Sequence, residues 1–554
     1  MPVIEVKLGD FNKLVGRKLS IDYLAEKLPM LGCSWEGKTE DGFMLEVFPN
    51  RPDMLSMEGL ARAFSSFLGI ETGLSPYQAR ESGYSLCIEE RVSPIRPFIV
   101  SAVVKNIFFS DDLIRSVIQM QEKLHITHCR NRRKASIGLH NLEPIKFPLT
   151  YTAKPKGFRF VPLDEVREMS LEEILRDTPK GVDYGWILEG KEEYPILMDS
   201  KGMVLSMPPI INSVHTRIKE ETRDIFIDVT ATDEKTAGEV LNILVTTLAD
   251  RGAEVYKVKN IYSKRVVETP NLGTWKMSLE KEYVNRLLGL NLSSREVIKY
   301  LKRMGFSATG EKALEVLIPC YRTDIMHPMD LVEEVAVAYG YDKFEPQIPS
   351  ISTVGAENPL EVFSRQLRNF LVGFGLVETV TFILSNKEKL FYRMCLREEP
   401  VAETENPKTE EYCVLRNWLV PSLVEVLRNN RHHPYPQNFF EVGDIILLDP
   451  LDETGAKTVR SLAIVLCHSK ASFSEVKAMM EGILKNLGIG DCIVSEGNHA
   501  SFIEGRCFET RHGSGLLCFG GEIKPEVLEN WSLEMPVAAL EMNVDLLFKL
   551  STLK

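Results

Sequence analysis

Four carboxylates occur within eleven residues of the sequence, at Asp324, Asp330, Glu333 and Glu334. Helical spacing places the last three on one face, and Asp324 lies just upstream on the incoming loop. Oxygen ligands suit a hard divalent ion, and Mg²⁺ takes one or two carboxylates while keeping several of its waters. The stretch therefore predicts a magnesium site.

A second interpretation of the same carboxylates is structural. Pro328 suits the first turn of a helix and Gly340 suits its end, while Asp330 with Glu333 three residues later forms an Asp-x-x-Glu capping box. In that interpretation the acids cap a helix and complement its dipole without binding an ion. The residues alone leave both interpretations open.

The segment that holds these acids recurs in part near the start of the chain. LSIDYLAEKLPMLG resembles LSSREVIKYLKRMG, and MLEVFPNRPDM resembles ALEVLIPCYRTDI, with about 270 residues between the copies. This pattern predicts a duplicated helix-strand-helix module. Where the second copy has Glu333 and Glu334 the first has Ala61 and Arg62, so a metal site is expected in the second copy only.

Composition limits the class of protein. The 554 residues are 44% hydrophobic and 26% charged, which is typical of a globular chain of about three to five domains. The ten cysteines include no Cys-x-x-Cys pair, which argues against zinc ribbons and secreted disulfide frameworks. No signal-peptide pattern and no apolar run of about 18 residues is present, so a cytoplasmic protein without a membrane span is expected.

Between the two copies lies a region with an α+β pattern, in which helices are predicted over Asp111 to Lys123 and Glu234 to Arg251. It contains a basic cluster, RNRRK at residues 130–134, which is either a solvated loop or a contact for a phosphate backbone. Because the whole chain carries a formal charge of -12, any nucleic-acid surface must be local or lie on another subunit.

A second segment of that region, SMPPIINSVHTRIKEETRDIFIDVTATD, is rich in polar side chains near strand-like runs. It supplies Asn212, Ser213, Asp228, Thr230 and Thr232. Asp228 and the threonines also suit strand ends for purely structural reasons. The residues alone therefore mark candidates and do not assign roles.

After the second copy, the Pro-rich linker EPQIPSISTVGAENP leads to a last region that begins with a helix-like segment and continues with several strands. No glycine-rich segment ending in an ATP-holding arginine occurs in it, and Arg416 lacks the acidic partner pattern of a nucleotide-binding loop. No phosphate loop and no dinucleotide fingerprint occurs elsewhere. This last region is expected to have no catalytic activity.

The segment RTDIMHPMDLVEEVAVAYGYDKFEP resembles the hallmark segment of the phenylalanyl-tRNA synthetase beta subunit family, in its short archaeal and eukaryotic form. The resemblance extends over nearly the whole chain. It implies that the four acids form a Mg²⁺ site shared with an alpha subunit. It also implies that Ser213, Asp228 and Thr230 belong to an editing site.

The resemblance further implies an α+β multidomain fold. Its parts are an N-terminal winged-helix-like module at 1–80, an editing-type tRNA-binding domain at 85–265, a second module with the Mg²⁺ site at 268–345, and a non-catalytic class II synthetase-like domain at 355–554. The last of these is an antiparallel sheet with helices. The editing-type domain is expected to hydrolyse tyrosine misattached to the tRNA by means of a positioned water.

The implied function is that of a subunit in a tetramer of two alpha and two beta chains, which attaches L-phenylalanine to its tRNA with ATP. In this family the alpha subunit binds most of the phenylalanine and ATP. Two alternatives stay open at this point: a free-standing deacylase of mischarged tRNA, and a non-catalytic tRNA-binding scaffold.

Overall fold

The computed structural model describes residues 2–551. Met1 and residues 552–554, the outer ends of the first and last predicted domains, lie outside the described residues. The chain forms two compact units of mixed α and β structure, Met1–Ile348 and Pro349–Lys554. In residues 2–551 no helix is both long and apolar enough to cross a membrane.

The first unit begins with a module of three strands and three helices, here called the first module. Its elements are β1 (Val3–Lys7), α1 (Leu8–Val15), α2 (Ile21–Lys27), β2 (Cys33–Lys38), β3 (Gly42–Val47) and α3 (Met57–Leu68). The strands form an antiparallel sheet in the order β1-β3-β2. Alternate side chains of β3 are buried, so the sheet has one face on the core.

A second module repeats this arrangement element by element. It comprises β17 (Trp275–Glu280), α8 (Lys281–Leu288), α9 (Ser294–Arg303), β18 (Ser307–Gly310), β19 (Ala313–Ile318) and α10 (Pro328–Tyr339), with the sheet order β17-β19-β18. Asn12 and Asn285 exchange equivalent pairs of hydrogen bonds with the backbones of Leu19 and Leu292. The predicted repeat is therefore present in local bonding as well as in element order.

The region between the modules contains an eleven-stranded sheet. Its elements are β4 (Ala79–Arg80), β5 (Ser85–Ile88), β6 (Phe98–Lys105), α4 (Asp111–Ile126), β7 (Ala135–Asn141), β8 (Leu149–Pro155), β9 (Arg159–Phe160), β10 (Met169–Ser170), α5 (Leu171–Asp177), α6 (Pro179–Tyr184), β11 (Glu193–Met198), β12 (Val204–Met207), β13 (Ile211–Asn212), β14 (Ile225–Ala231), α7 (Glu234–Ala249), β15 (Glu254–Ile261) and β16 (Val266–Thr269). The predicted helices are α4 and α7.

Strand β14 carries Asp228 and Thr230, two of the predicted editing residues. It pairs antiparallel with β6 on one side and with β7 on the other, and all seven of its residues are buried. The main sheet runs in the order β13-β12-β11-β8-β5-β15-β6-β14-β7. One hydrophobic cluster continues from α4, α7 and β14 into both modules, so these parts of the first unit share a core.

The second unit is built on a seven-stranded sheet in the order β20-β23-β24-β28-β27-β26-β25. Among the described strands of this sheet, the β20–β23 pair is parallel and the other five pairs are antiparallel. Its elements are α11 (Pro359–Gly373), β20 (Val377–Glu378), β21 (Leu384–Ser385), α12 (Lys387–Leu390), β22 (Val414–Leu415), α13 (Val420–Asn430), β23 (Gln437–Leu448), β24 (Ala456–Cys467), α14 (Phe473–Asn486), β25 (Ile493–Glu496), β26 (Phe502–His512), β27 (Gly515–Ile523), α15 (Pro525–Asn530), β28 (Val537–Asn543) and α16 (Val544–Leu550).

Candidate functional sites

The carboxylate-rich stretch of the second module is organised by Arg322, whose side chain is 1% exposed. Its Nε and Nη2 donate to the two oxygens of Asp324 at 2.8 and 2.7 Å. Its Nη2 and Nη1 also donate to the oxygens of Glu334 at 2.7 and 3.2 Å. Burial raises the pKa of Asp324, but the charge and hydrogen bonds of Arg322, together with the Arg51 charge, outweigh burial and lower that pKa below its usual value.

The other two acids have different surroundings. Oδ2 of Asp330 accepts hydrogen bonds from the backbone N–H groups of Met326 and His327, both at 2.7 Å. Helix α10 is capped by His327, with Asp330 at its third position, so the predicted Asp330–Glu333 capping box is wrong by three residues. The physical reason is that Pro328 starts the helix, which moves the cap back to the residue before it. Glu333 is exposed.

These contacts test whether the four acids fit a magnesium ion. Arg322 already binds both oxygens of Asp324 and of Glu334, and in the described part of the chain no three His, Cys, Asp or Glu side chains converge as metal ligands. A preformed site of four carboxylates therefore does not fit this arrangement. The equivalent Arg51 and Asp53 of the first module form the same pair at 2.8 Å, which marks the Arg-x-Asp element as structural.

The structure also changes the predicted correspondence between the two modules. With Arg51 and Arg322 in register, Glu333 and Glu334 correspond to Arg62 and Ala63, one position later than predicted. The first module still lacks acids at both positions.

A cavity of about 360 Å³ lies beside strands β7 and β14, and it is here called the β14 cavity. Its apolar wall includes Ile137, Leu139, Pro208 and Ile210. Polar groups reach it from several chain segments. They include Gln121, Glu122, Arg132, Ser136, Asn212, Ser213, Thr216 and Asp228. An apolar cavity with a few convergent polar groups is typical of a small-molecule site.

Asp228 is the buried acid of the β14 cavity, with 2% exposure. Its Oδ1 lies 2.9 Å from Nε2 of His140, and Nδ1 of His140 lies 2.8 Å from Oγ1 of Thr216. His140 is fully buried. With the proton on Nε2, His140 donates to Oδ1 of Asp228, and its Nδ1 accepts from the Thr216 hydroxyl. The three side chains then form a fully paired chain ending at the cavity wall.

Strand pairing explains why these groups meet. Asp228 on β14 stands opposite Gly138 on β7, and His140 is two residues further along the same face of β7. A Cβ on Gly138 would lie only 2.3 Å from Oδ1 of Asp228 and 2.8 Å from Nε2 of His140. A side chain at position 138 would therefore force Asp228 or His140 out of the observed contact.

The other two predicted editing residues differ in position. Ser213 is fully buried, lines the cavity, accepts from the His215 N–H at 3.4 Å and donates to the Val161 carbonyl at 3.2 Å. Thr230 is also buried, but its Oγ1 accepts from Nε of Arg96 at 3.0 Å, and it is not among the residues that line the β14 cavity. Thr230 therefore holds Arg96, while Ser213 shapes the turn that carries Thr216.

The basic cluster is divided between interior and surface. Arg132 is 6% exposed and donates to the carbonyls of Pro209 and Ile210, at 3.2 and 2.9 Å, and to Glu122 at 2.9 Å. It thus fixes one wall of the β14 cavity and is not a solvated residue. Arg130 and Arg133 are exposed and remain the basic groups open to a polyanion.

In the second unit, Arg416 is buried against Glu441, with 2.8 Å between Nη2 and Oε1. The acidic partner that the sequence pattern lacked is thus supplied by strand β23. Thr381 joins this pair, accepting from Nη1 of Arg416 at 2.7 Å and donating to Glu441 at 2.6 Å. Val380 and Phe382, the residues on either side of Thr381, are 88% and 74% exposed. They form an exposed apolar patch next to a residue that is held by the Arg416–Glu441 pair.

Sequence reasoning assigned no role to His140 or Arg322, and it treated Arg132 only as part of the basic cluster. His140 lies near the end of β7, and its contact with Asp228 depends on the register of β7 against β14, which no local sequence pattern determines. For Arg322, the signal was available, because the Arg-x-Asp spacing occurs in both modules.

Comparison with known proteins identifies the family. Three family profiles match: "Phenylalanyl tRNA synthetase beta chain CLM domain" over residues 345–544, "tRNA synthetase B5 domain" over 277–341 and "B3/4 domain" over 110–252. The phenylalanine--tRNA ligase beta subunit of Archaeoglobus fulgidus is 42% identical over 553 residues, covering 99% of both chains. The subunit of the same name from Pyrococcus abyssi is 39% identical, covering 98% of this chain and 99% of its own.

A solved structure agrees with these sequence relatives. It is an N-terminal fragment of the phenylalanyl-tRNA synthetase beta subunit from Pyrococcus horikoshii, with 36% identity and a TM-score of 0.60, and the match covers 61% of this chain and 99% of the fragment. Identity above 30% over nearly the full length of both chains shows common descent. The chain therefore belongs to the phenylalanine--tRNA ligase beta subunit family, whose members are components of an aminoacyl-tRNA ligase.

Proposed function

We propose that this chain works with an alpha subunit to attach L-phenylalanine to its tRNA, using ATP and releasing AMP and diphosphate. The observation that carries the proposal is the 42% identity over 99% of both chains. The assembly is a tetramer of two alpha and two beta chains in the cytoplasm, and the alpha chains bind most of the phenylalanine and ATP. This chain contributes tRNA contacts, an editing site and the scaffold for assembly.

The proposed domain division follows the elements described above. It comprises winged-helix-like modules at 1–80 and 268–345, an editing-type tRNA-binding domain at 85–265 and a class II synthetase-like domain at 355–554. The matched B5 range, 277–341, falls inside the division 268–345, and the B3/4 range, 110–252, falls inside 85–265, which supports the proposal. The exposed Arg130 and Arg133 are the proposed phosphate contacts of the editing-type domain.

The apolar patch of the second unit is the proposed docking surface for the alpha subunit. Phe382 is 74% exposed and Val380 88% exposed, and Val377 on edge strand β20 is 58% exposed. Exposed apolar side chains in a contiguous segment mark interaction sites. The buried Arg416–Glu441 pair holds this segment in place through Thr381, so the surface is preorganised for a partner.

The β14 cavity is the proposed editing site. Its apolar wall accepts an aromatic ring, and the buried carboxylate of Asp228 accepts a hydrogen bond from the hydroxyl of a misattached tyrosine. A pocket built to pair a hydroxyl discriminates strongly against a substrate that lacks it, so phenylalanine is spared. Water then attacks the ester carbonyl, and the tRNA hydroxyl leaves with a proton. In this proposal Ser213 shapes the turn that carries Thr216, and Thr230 holds the Arg96 side chain in place.

Magnesium enters the proposal with fewer ligands than predicted. Asp330 and Glu333 lie one helical turn apart and supply two carboxylates, a number that Mg²⁺ commonly takes while keeping waters. Asp324 and Glu334 are assigned to Arg322. A calorimetric titration with Mg²⁺ in the presence of the alpha chain tests this: Glu333→Gln weakens binding, and Glu334→Gln leaves the affinity unchanged.

The experiment that tests the main proposal compares three samples in aminoacylation of tRNA with phenylalanine: this chain, the alpha chain, and their mixture. Activity only in the mixture supports the proposal. Activity of this chain alone would contradict a non-catalytic second unit. If the mixture is inactive, hydrolysis of tyrosyl-tRNA by this chain alone decides between a free-standing deacylase and a non-catalytic scaffold.

A further inference from the structure

A second cavity, of about 310 Å³, lies within the first unit where the two modules meet. We call it the inter-module cavity. The first module contributes Arg51 and Arg62, the second contributes Tyr321 and Arg322, and Asp250 comes from the end of helix α7. Unlike the β14 cavity it is lined mainly by polar atoms, and neither the charging nor the editing proposal uses it.

Arg62 is the unusual residue of the inter-module cavity. Its side chain is 9% exposed, and its guanidinium carbon lies 3.9 Å from the centre of the Tyr321 ring. Nη1 donates to the Tyr77 hydroxyl at 2.9 Å and to Asp250 at 2.6 Å. Nε and Nη2 are buried, and neither has a hydrogen-bond partner among the described residues. Buried donors left without a partner cost stability unless a ligand or a water accepts from them.

The two other arginines of the cavity show what is missing at Arg62. Arg51 uses its Nε and Nη2 to bind Asp53, with both distances 2.8 Å. Arg322 uses the same two nitrogens to bind Asp324 at 2.8 and 2.7 Å. This edge of a guanidinium matches two oxygens of a carboxylate or phosphate in a planar fork. Arg62 presents the same edge without an oxyanion.

The charged side chains around the cavity are largely paired with one another. The charged side chains that line it are Lys13, Arg51, Arg62 and Arg322, against Asp53, Glu58, Glu71 and Asp250, so the lining is formally neutral. The buried acids are already paired: Asp53 with Arg51, Glu58 with Arg251 and Asp250 with Arg62. A phosphate group is small beside 310 Å³, which leaves space for waters around it.

We propose that the inter-module cavity binds a small oxyanion of the phosphate type on the free Nε–Nη2 edge of Arg62. The ion joins the first module to the second, because Arg62 lies on α3 and its guanidinium stacks on Tyr321. Binding to the folded state raises the stability of the first unit with ligand concentration. The site is independent of the proposed charging and editing functions.

The test is thermal unfolding and calorimetry of the full chain, titrated with inorganic phosphate against chloride at equal ionic strength. We expect phosphate to raise the unfolding temperature of the wild type and to give a saturable heat. Arg62→Lys keeps a positive charge opposite Asp250 but has no fork, so the phosphate response should disappear. The matched control is Arg115→Gln, an arginine with a 78% exposed side chain on helix α4, which should respond like the wild type.

A crystallographic measurement on the wild type tests the same site without relying on a variant that could fail to fold. Wild-type crystals soaked in selenate should show an anomalous peak beside Nε and Nη2 of Arg62. A wild type with no phosphate response beyond that of chloride, and with no such peak, would overturn the proposal, because the cavity then holds only water. An unchanged response in Arg62→Lys, or a lost response in Arg115→Gln, would overturn it as well, because the ion would bind elsewhere.

Discussion

Replacing Gly138 with alanine tests the β14 cavity as an editing site. The new methyl would lie 2.3 Å from Oδ1 of Asp228, 2.9 Å from its Cγ and 2.8 Å from Nε2 of His140. Carbon and oxygen atoms normally approach no closer than about 3.3 Å, so the carboxylate must move by about 1 Å. The backbone of Gly138 does not have a positive φ, so alanine itself is tolerated there.

A displacement of about 1 Å in a positioned group costs roughly 100-fold in rate. We therefore expect Gly138→Ala, assembled with the alpha subunit, to deacylate tyrosyl-tRNA about 100-fold more slowly than the wild type. Charging with phenylalanine should stay unchanged, since it depends on the alpha subunit. The assay follows release of labelled tyrosine from tyrosyl-tRNA, with charging measured on the same preparation.

Gly157→Ala is the matched control, because a Cβ at Gly157 meets no atom within 4 Å and its φ is also not positive. It should deacylate like the wild type. A folded Gly138→Ala protein that deacylates at the wild-type rate would refute the role assigned to Asp228. A parallel loss of charging and deacylation would refute the selectivity of the effect and point to general damage.

Three further predictions concern other parts of the chain. Phe382→Glu should abolish co-purification with the alpha subunit, whereas Leu451→Glu, at a 95% exposed apolar position outside the patch, should not; equal binding by both would remove the docking surface. Glu334→Ala should lower the unfolding free energy of the first unit by about 3 kcal/mol in EDTA, because it leaves the buried Arg322 half paired; Glu333→Ala, at an exposed position, should change it by less than about 0.5 kcal/mol in the same denaturant series. Burial lowers the pKa of His125 to about 4. Its unfolded form binds a proton from about pH 6.5 downward, so its contribution is complete above that pH and falls by about 3 kcal/mol as the pH drops to 4. His125→Gln should flatten the decrease in the free energy of unfolding between pH 6.5 and pH 4. An unchanged slope would contradict the contribution assigned to His125.

Local signals in the sequence determined much of the fold. The repeated MLEV and ALEV strands with their Arg-x-Asp continuation predict the two modules, because alternation and spacing are local properties of the chain. Helices α4 and α7 were predicted for the same reason, with their starts correct and their ends displaced by two or three residues. The predicted cap of α10 is wrong because Asp330 is the residue type that usually caps a helix, whereas Pro328 starts this helix and makes His327 the cap.

The tertiary structure decided what the polar residues do. Asp324 and Glu334 lie two and twelve positions from Arg322 in the sequence, and folding brings both carboxylates to the Arg322 guanidinium. Asp228 was identified from the sequence, but its partner His140 lies 88 residues away and is brought to it by strand register. Thr230 shares a strand face with Asp228 and still points to Arg96. Contacts between side chains that are far apart in sequence depend on strand register and on packing between distant segments. The residues next to a motif determine neither of these.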